Sequence, residues 1–168
     1  MSDYNRTTRE CSVRQLHPEV FLALRNYFQE RKLGDLEAET VLCCETISTK
    51  KNVGGLFSQL NSTADITIHT GILLTSDWLI WVRSGDKSGT VLSAATLSNI
   101  VVSTYKSMFV DDTGLEIFGY IEGSKRAVKG YIGMGPESAT QKFCDDVKQA
   151  ITGVNPPKKR VWPKWMGG

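Results

Sequence analysis

Hydrophobic and polar positions alternate through most of the middle of the chain, and the alternation gives way to a helical period only towards the two ends. Val20, Phe21, Leu24, Tyr27, Phe28 and Arg31 share one helical face, and only Arg31 among them is neither apolar nor aromatic. His17-Pro18 opens this helix, with Pro18 suited to its first turn, and Gly34 is a natural stop after Arg31 and Lys32. Residues 1–15 are polar and are expected to fray. The apolar face of the helix must be buried, either on the sheet or on another subunit.

Thr40 to Thr49 reads as a first strand, followed by a flexible Gly-, Asn- and Ser-rich stretch from Lys50 to Ala64. From Asp65 to Thr75 the alternation is clean, with Ile66, Ile68, Thr70, Ile72 and Leu74 facing one way and Asp65, Thr67, His69 and Thr75 the other. Further strands are predicted at Trp78–Arg83, Thr90–Ser93, Ile100–Val110, Leu115–Ile121 and Ala127–Gly133. Ser84–Gly89 makes a hairpin loop and Asp111-Asp112-Thr113-Gly114 a tight turn. Pro136 starts a last helix, in which Ala139, Phe143, Val147, Ala150 and Ile151 form an apolar face and Gly153 is the stop. The order predicts a mainly β fold (α+β by element count): a curved sheet or barrel closed by a terminal helix.

Composition adds the domain plan. A chain of 168 residues fits one domain with appendages: a polar segment and helix over 1–34, the β-rich body over 35–152, and a basic tail over 153–168. The first carries a net +2, the body −4 and the tail +4. An acidic body argues against duplex nucleic acid, whose binding leans on neutralising phosphates. None of Cys11, Cys43, Cys44 and Cys144 makes a CxxC pair, and neighbouring Cys43 and Cys44 point to opposite faces of their strand. Reduced cysteines packed as small hydrophobes are expected. The N-terminus lacks a secretory apolar region, and no apolar run approaches the ~20 residues of a membrane span. The expected setting is cytoplasmic, possibly at the membrane periphery.

Several segments resemble the pleckstrin-homology (PH) superfold, including bacterial PH-like and GRAM-type domains. Leu36-Glu37-Ala38-Glu39-Thr40-Val41-Leu42 looks like the lead-in to its first strand. His69 to Val82 is similar to its second hairpin, and Leu97-Ser98-Asn99-Ile100-Val101-Val102 to the segment after it. The resemblance covers about residues 36–152. It implies a seven-stranded bent barrel with one end plugged by the C-terminal helix, here with an extra N-terminal helix, and it implies no catalysis and no cofactor.

Candidate sites follow from charge and exposure. Lys50 and Lys51 sit in the first-to-second strand loop, and Leu56 and Phe57 give that loop an apolar tip able to enter a membrane interface. Phosphoinositide binders of the family place a basic-x-basic pair at the start of the next strand, where this chain has Asp65-Ile66-Thr67-Ile68-His69. In the tail, Lys158, Lys159, Arg160 and Lys164 alternate with Trp162 and Trp165, a set suited to an anionic membrane, to single-stranded nucleic acid, or to folding back on the acidic body.

Other motifs are better explained structurally. Asp112-Thr113-Gly114 matches an aspartic-protease triplet, yet Leu115 follows where Ser or Ala is usual. Gly133-x-Gly135 lacks the third glycine and following strand of a dinucleotide loop. His17 and His69 lack metal-ligand spacing. Trp78, Trp81, Tyr105, Phe118 and Tyr120 are expected in the core or on sheet faces. The leading expectation is a non-enzymatic module acting through protein contacts. Its partner is a protein or a second copy of the chain, met through Phe21, Leu24, Tyr27 and Phe28. The alternative is a peripheral binder of anionic lipid.

Overall fold

The computed structural model describes residues 4–51, 64–106 and 113–154. Among these residues eight strands form two antiparallel sheets. The larger has the order β1 (Tyr4–Glu10), β2 (Leu42–Lys50), β3 (Thr67–Leu74), β4 (Trp78–Gly85), β5 (Gly89–Thr96), and the smaller β6 (Ile100–Lys106), β7 (Thr113–Gly119), β8 (Val128–Met134). Three α-helices accompany them among the described residues: α1 (Pro18–Arg31), the single turn α2 (Leu36–Glu39) and α3 (Ser138–Val154). The fold is therefore mostly β with a helix at each end, as the alternation indicated.

Of the expected seven-stranded bent barrel capped by a helix, the β-rich body and the C-terminal helix are present. Among the described residues eight strands lie in two antiparallel sheets, and the sheet is not closed. The extra strand is β1, in a segment expected to fray. It pairs along its whole length with β2, from Tyr4 opposite Lys50 to Glu10 opposite Cys44. Only Thr8 in it is fully buried, so an edge strand of this kind has almost no hydrophobic alternation to betray it. Backbone pairing and polar contacts hold it instead. Thr8 Oγ1 lies 2.7 Å from Thr46 Oγ1 and accepts the Gly135 N–H at 2.8 Å, while the Thr8 N–H donates to Glu137. These bonds tie the edge of the larger sheet to the junction of β8 and α3.

Other boundaries shift for local reasons. Leu36–Glu39 is a helical turn rather than the lead-in to a strand, because Asp35 caps it by accepting from the Glu37 and Ala38 N–H groups. Thr113 and Gly114 begin β7 opposite Met134 and Gly133 instead of forming a turn, and Asp111 and Asp112 lie outside the described residues. The last helix starts two residues after Pro136 and continues through Gly153 to Val154.

Each face of the larger sheet has its own core. One packs against the smaller sheet and α3: Cys44, Ile72, Leu74, Leu79, Ala95 and Leu97 meet Ile100, Leu115, Ile117, Ile132, Phe143 and Val147. The other face carries α1: Val20, Leu24, Tyr27 and Phe28 cover Cys43, Leu73, Ile80, Val82 and Ala94. Gly71 allows the close approach, since a methyl group there would overlap Val20. Tyr27 donates to Glu122 at 2.6 Å, Arg31 pairs with the same carboxylate, and the Glu122 N–H bonds to Ala94. Burial, and then this bond, push the Tyr27 phenol above its ordinary pKa.

The apolar face of α1 is thus satisfied within its own chain. Leu24 is fully buried, so Leu24→Ala is expected to cost about 3 kcal/mol. Urea unfolding checks this; a loss below about 1 kcal/mol would mean that α1 is not docked in solution.

Candidate ligand cleft

The two sheets do not stay packed along their whole length. Where β1, β2, β3 and β4 run past the smaller sheet, a cavity of about 410 Å³ opens between them. Its floor is the inner face of the larger sheet, presenting Arg6 from β1, Ser48 from β2, Ile68 and Thr70 from β3, Trp81 and Arg83 from β4 and Ser93 from β5. Tyr131, Ile132 and Gly133 of β8 form the opposite wall. The period of two puts Ser48 in line with Cys44 and Thr46, and Thr70 in line with Ile72 and Leu74. One continuous inner face therefore adds hydroxyl and guanidinium groups, around Ile68 and Trp81, as it leaves the core. A sealed core has no use for that change, because buried polar groups without partners are costly.

Both arginines are placed by neighbours. The Arg6 guanidinium lies against Gly133, where a Cβ would stand 2.8 Å from its Cζ. Arg83 is half-exposed at the mouth, 3.6 Å from Asp65 Oδ2, too far for a hydrogen bond. Asp65 itself is occupied: it accepts from the Lys87 and Ser88 N–H groups at 2.7 and 2.8 Å and from the Ser88 hydroxyl at 2.6 Å. Burial alone would raise this carboxyl; the Ser88 and Lys87 donors, with Arg83 beside them, outweigh it and hold Asp65 below its ordinary pKa. Asp65, which stands where phosphoinositide binders of the resembled family place their basic pair, is thus a buried anchor of the β4–β5 hairpin. Tyr4 completes the rim, its hydroxyl bonding the Asp65 carbonyl at 2.8 Å, and Tyr131 meets Tyr105 edge-on at 4.7 Å between centroids.

A second polar cluster lies on the opposite face of the sheet, under the start of α1. Glu45 is buried and accepts from Arg9 at 2.6 Å and from the His17 N–H at 2.9 Å. The His17 and His69 rings stack at 4.1 Å, a pairing that their sequence separation hides. Neither Nδ1 has a hydrogen-bond partner among the described residues, and His69 Nδ1 stands 3.6 Å from Glu45. Burial, then the neighbouring His17, lower the His69 pKa against the pull of Glu45. No group of three or more His, Cys, Asp or Glu among the described residues is arranged to hold a metal ion.

The residues singled out from sequence fall into three groups. Lys50, the last residue of β2 and opposite Tyr4, stands with Lys51 at the same end of the sheet as the cleft mouth. Leu24, Tyr27 and Phe28 are buried under α1, and Phe21 packs partly against the same core. Leu56, Phe57, Lys158, Lys159, Arg160, Trp162, Lys164 and Trp165 lie outside the described residues. Sequence reasoning missed Arg6, Arg83, Ser48, Thr70 and Ser93. The available signal was the run of polar residues on the apolar face of otherwise clean strands. No helix among the described residues is long and apolar enough to cross a membrane. No family model matches the chain, and no curated protein is similar enough to it to count as a match.

A histidine with a lowered folded-state pKa binds protons less readily than in the unfolded chain. Its contribution to stability is therefore lost as pH falls through the ordinary histidine value of about 6.5 and below. Melting temperature should drop between pH 7 and pH 5.5, and His69→Gln should flatten that slope. An equal slope in the variant would place the proton uptake elsewhere.

Proposed function

We propose that the protein is a non-enzymatic binding module of PH-like architecture that takes a small anionic ligand with an apolar or aromatic body into the cleft between its sheets. The order of β2 to β8 followed by α3 supports the PH-like reading, with β1 and α1 as additions. The observation that carries the function is the inner face that turns from aliphatic side chains to Ser48, Thr70, Ser93, Arg6 and Arg83 around an open cavity. Guanidinium groups favour planar carboxylate or phosphate oxygens, and the rings of Trp81 and Tyr131 offer surface to the rest of the molecule. Of the two surfaces that motivate the protein-contact reading, α1 spends its apolar face within the chain, and the Trp-containing tail lies outside the described residues. A protein or a second copy would have to dock elsewhere.

A carboxylate or phosphate could also be presented by a membrane, and Lys50 and Lys51 beside the mouth favour that as the second source. Titrating the protein with phenyl phosphate and benzoate, against neutral benzamide, while following its amide and indole NMR signals, tests the site. Shifts at Thr70, Trp81 and Ser93 are expected for the anions alone, weakened about tenfold by Arg83→Gln, since a charged hydrogen bond contributes about 1.5–3 kcal/mol. Equal shifts with benzamide, or shifts confined elsewhere, would sink the reading. Anionic against neutral vesicles, run on the same variant, separates a lipid headgroup from a free ligand.

A further inference from the structure

We propose that Cys11 and Cys43 are a reversible thiol–disulfide pair that straps the segment carrying α1 to the larger sheet. The β1–β2 register, continued one step beyond Glu10 and Cys44, sets the two directly opposite, and the Cys11 N–H bonds the Cys43 carbonyl at 3.1 Å. Opposed antiparallel residues have Cα atoms about 4.5–5.5 Å apart, within the range a disulfide spans. The sulfurs stand 3.9 Å apart as free thiols, so side-chain rotation is all that bond formation requires.

The two thiols differ in a way that assigns them roles. Cys11 is partly exposed, and its pKa is lowered, by the hydrogen bond with Cys43 and by Arg9, against burial and the charges of Glu45 and Glu10. Cys43 is buried, and that same bond, then burial, raise its pKa. Cys11 is the attacking thiolate and Cys43 the resolving thiol. With a peroxide as oxidant, the Cys11 sulfur attacks one oxygen, breaking the O–O bond. It becomes a sulfenic acid while the other oxygen leaves as hydroxide and takes up a proton as water. The Cys43 sulfur then attacks Cys11, displacing the sulfenic hydroxyl as a second water. Two electrons pass from the sulfurs to the peroxide, and a dithiol reverses the change.

Cys44 and Cys144 provide an internal control. Both are buried in the other core, with pKa values pushed up to about 12 and about 11 by burial, a setting that keeps thiols inert. The loop that the bond closes, Ser12 to Leu42, contains both α1 and α2.

The reduced, full-length protein is treated with stoichiometric hydrogen peroxide, alkylated in denaturant and mapped by mass spectrometry. Two of the four cysteines should resist alkylation and the mass fall by two hydrogens. One linked pair of peptides should carry Cys11 and Cys43, and dithiothreitol should restore all four thiols. Oxidation should raise the melting temperature by on the order of 5 °C and slow amide exchange across α1. In Cys43→Ser, Cys11 should persist as a sulfenic acid that dimedone traps, and in Cys11→Ser no link should form. A link through Cys44 or Cys144, a disulfide-bonded dimer through Cys11, or oxidation of Cys11 to sulfinic acid without a link would each overturn the pairing. A link that leaves exchange across α1 unchanged would overturn the strap.

Discussion

The pairing of a polar N-terminal strand with β2 is the constraint on which the remaining features depend. β1 contributes almost no apolar surface, yet its register decides what every neighbouring side chain meets. It places Arg6 over Gly133 at the cleft, Thr8 between Thr46 and Gly135, Arg9 on Glu45 and Cys11 opposite Cys43. A slip of one residue would turn each of these to the other face. Register is usually enforced by a hydrophobic pattern, which β1 lacks. Here the enforcement is polar and specific: a buried hydroxyl pair on one face of the strand and, on the other, an exposed arginine paired with a buried carboxylate. Glu45 with its arginine removed would be a buried carboxylate without its charge partner, which is a costly state, so the wrong register is excluded more by what it strands than by what the right one gains.

The larger sheet is buried on both faces, which explains the side-chain choice in β2 to β5. Cys43 and Cys44 are adjacent and belong to different cores, one under α1 and one under α3. Small side chains recur where helix and sheet come closest: Gly71 beneath Val20 and Ala94 beneath α1. Glu122, in the connection between β7 and β8, then joins the layers by bonding α1 through Tyr27 and Arg31 and β5 through Ala94. The extra helix is therefore a structural layer of the fold.

Much of this was legible in the sequence, and the failures share a cause. The face of α1, the alternation of Ile68, Ile72 and Leu74 in β3 and the apolar stripe of α3 announce themselves because burial selects residues at a fixed period. β1 does not, because its partners are polar side chains and backbone groups distributed over residues 44–142, and no local window contains them. The same holds for the stacked His17 and His69 and for the Cys11–Cys43 pair, each joined only once β1 is in place. Without β1 in place, nothing in the sequence brings Cys11 next to Cys43, and the four cysteines read as unrelated small hydrophobes. The role of Asp65 is hidden for a related reason: its oxygens are filled by the donors of a hairpin more than twenty residues on.

The cleft follows from the same geometry. Two sheets joined through the Glu122 connection and the Thr8–Gly135 bond are held together where those ties act and part where nothing apolar fills the space between. The inner face is aliphatic within the core, and hydroxyl and guanidinium groups join Ile68 and Trp81 beyond it; Ser48 on β2 and Thr70 on β3 mark where that begins on two neighbouring strands. The arginines sit on the far side of it, Arg6 on the edge strand and Arg83 beside a carboxylate whose oxygens are already filled. In the proposed reading, an anion that reaches the cleft would meet both guanidinium groups on a face already built.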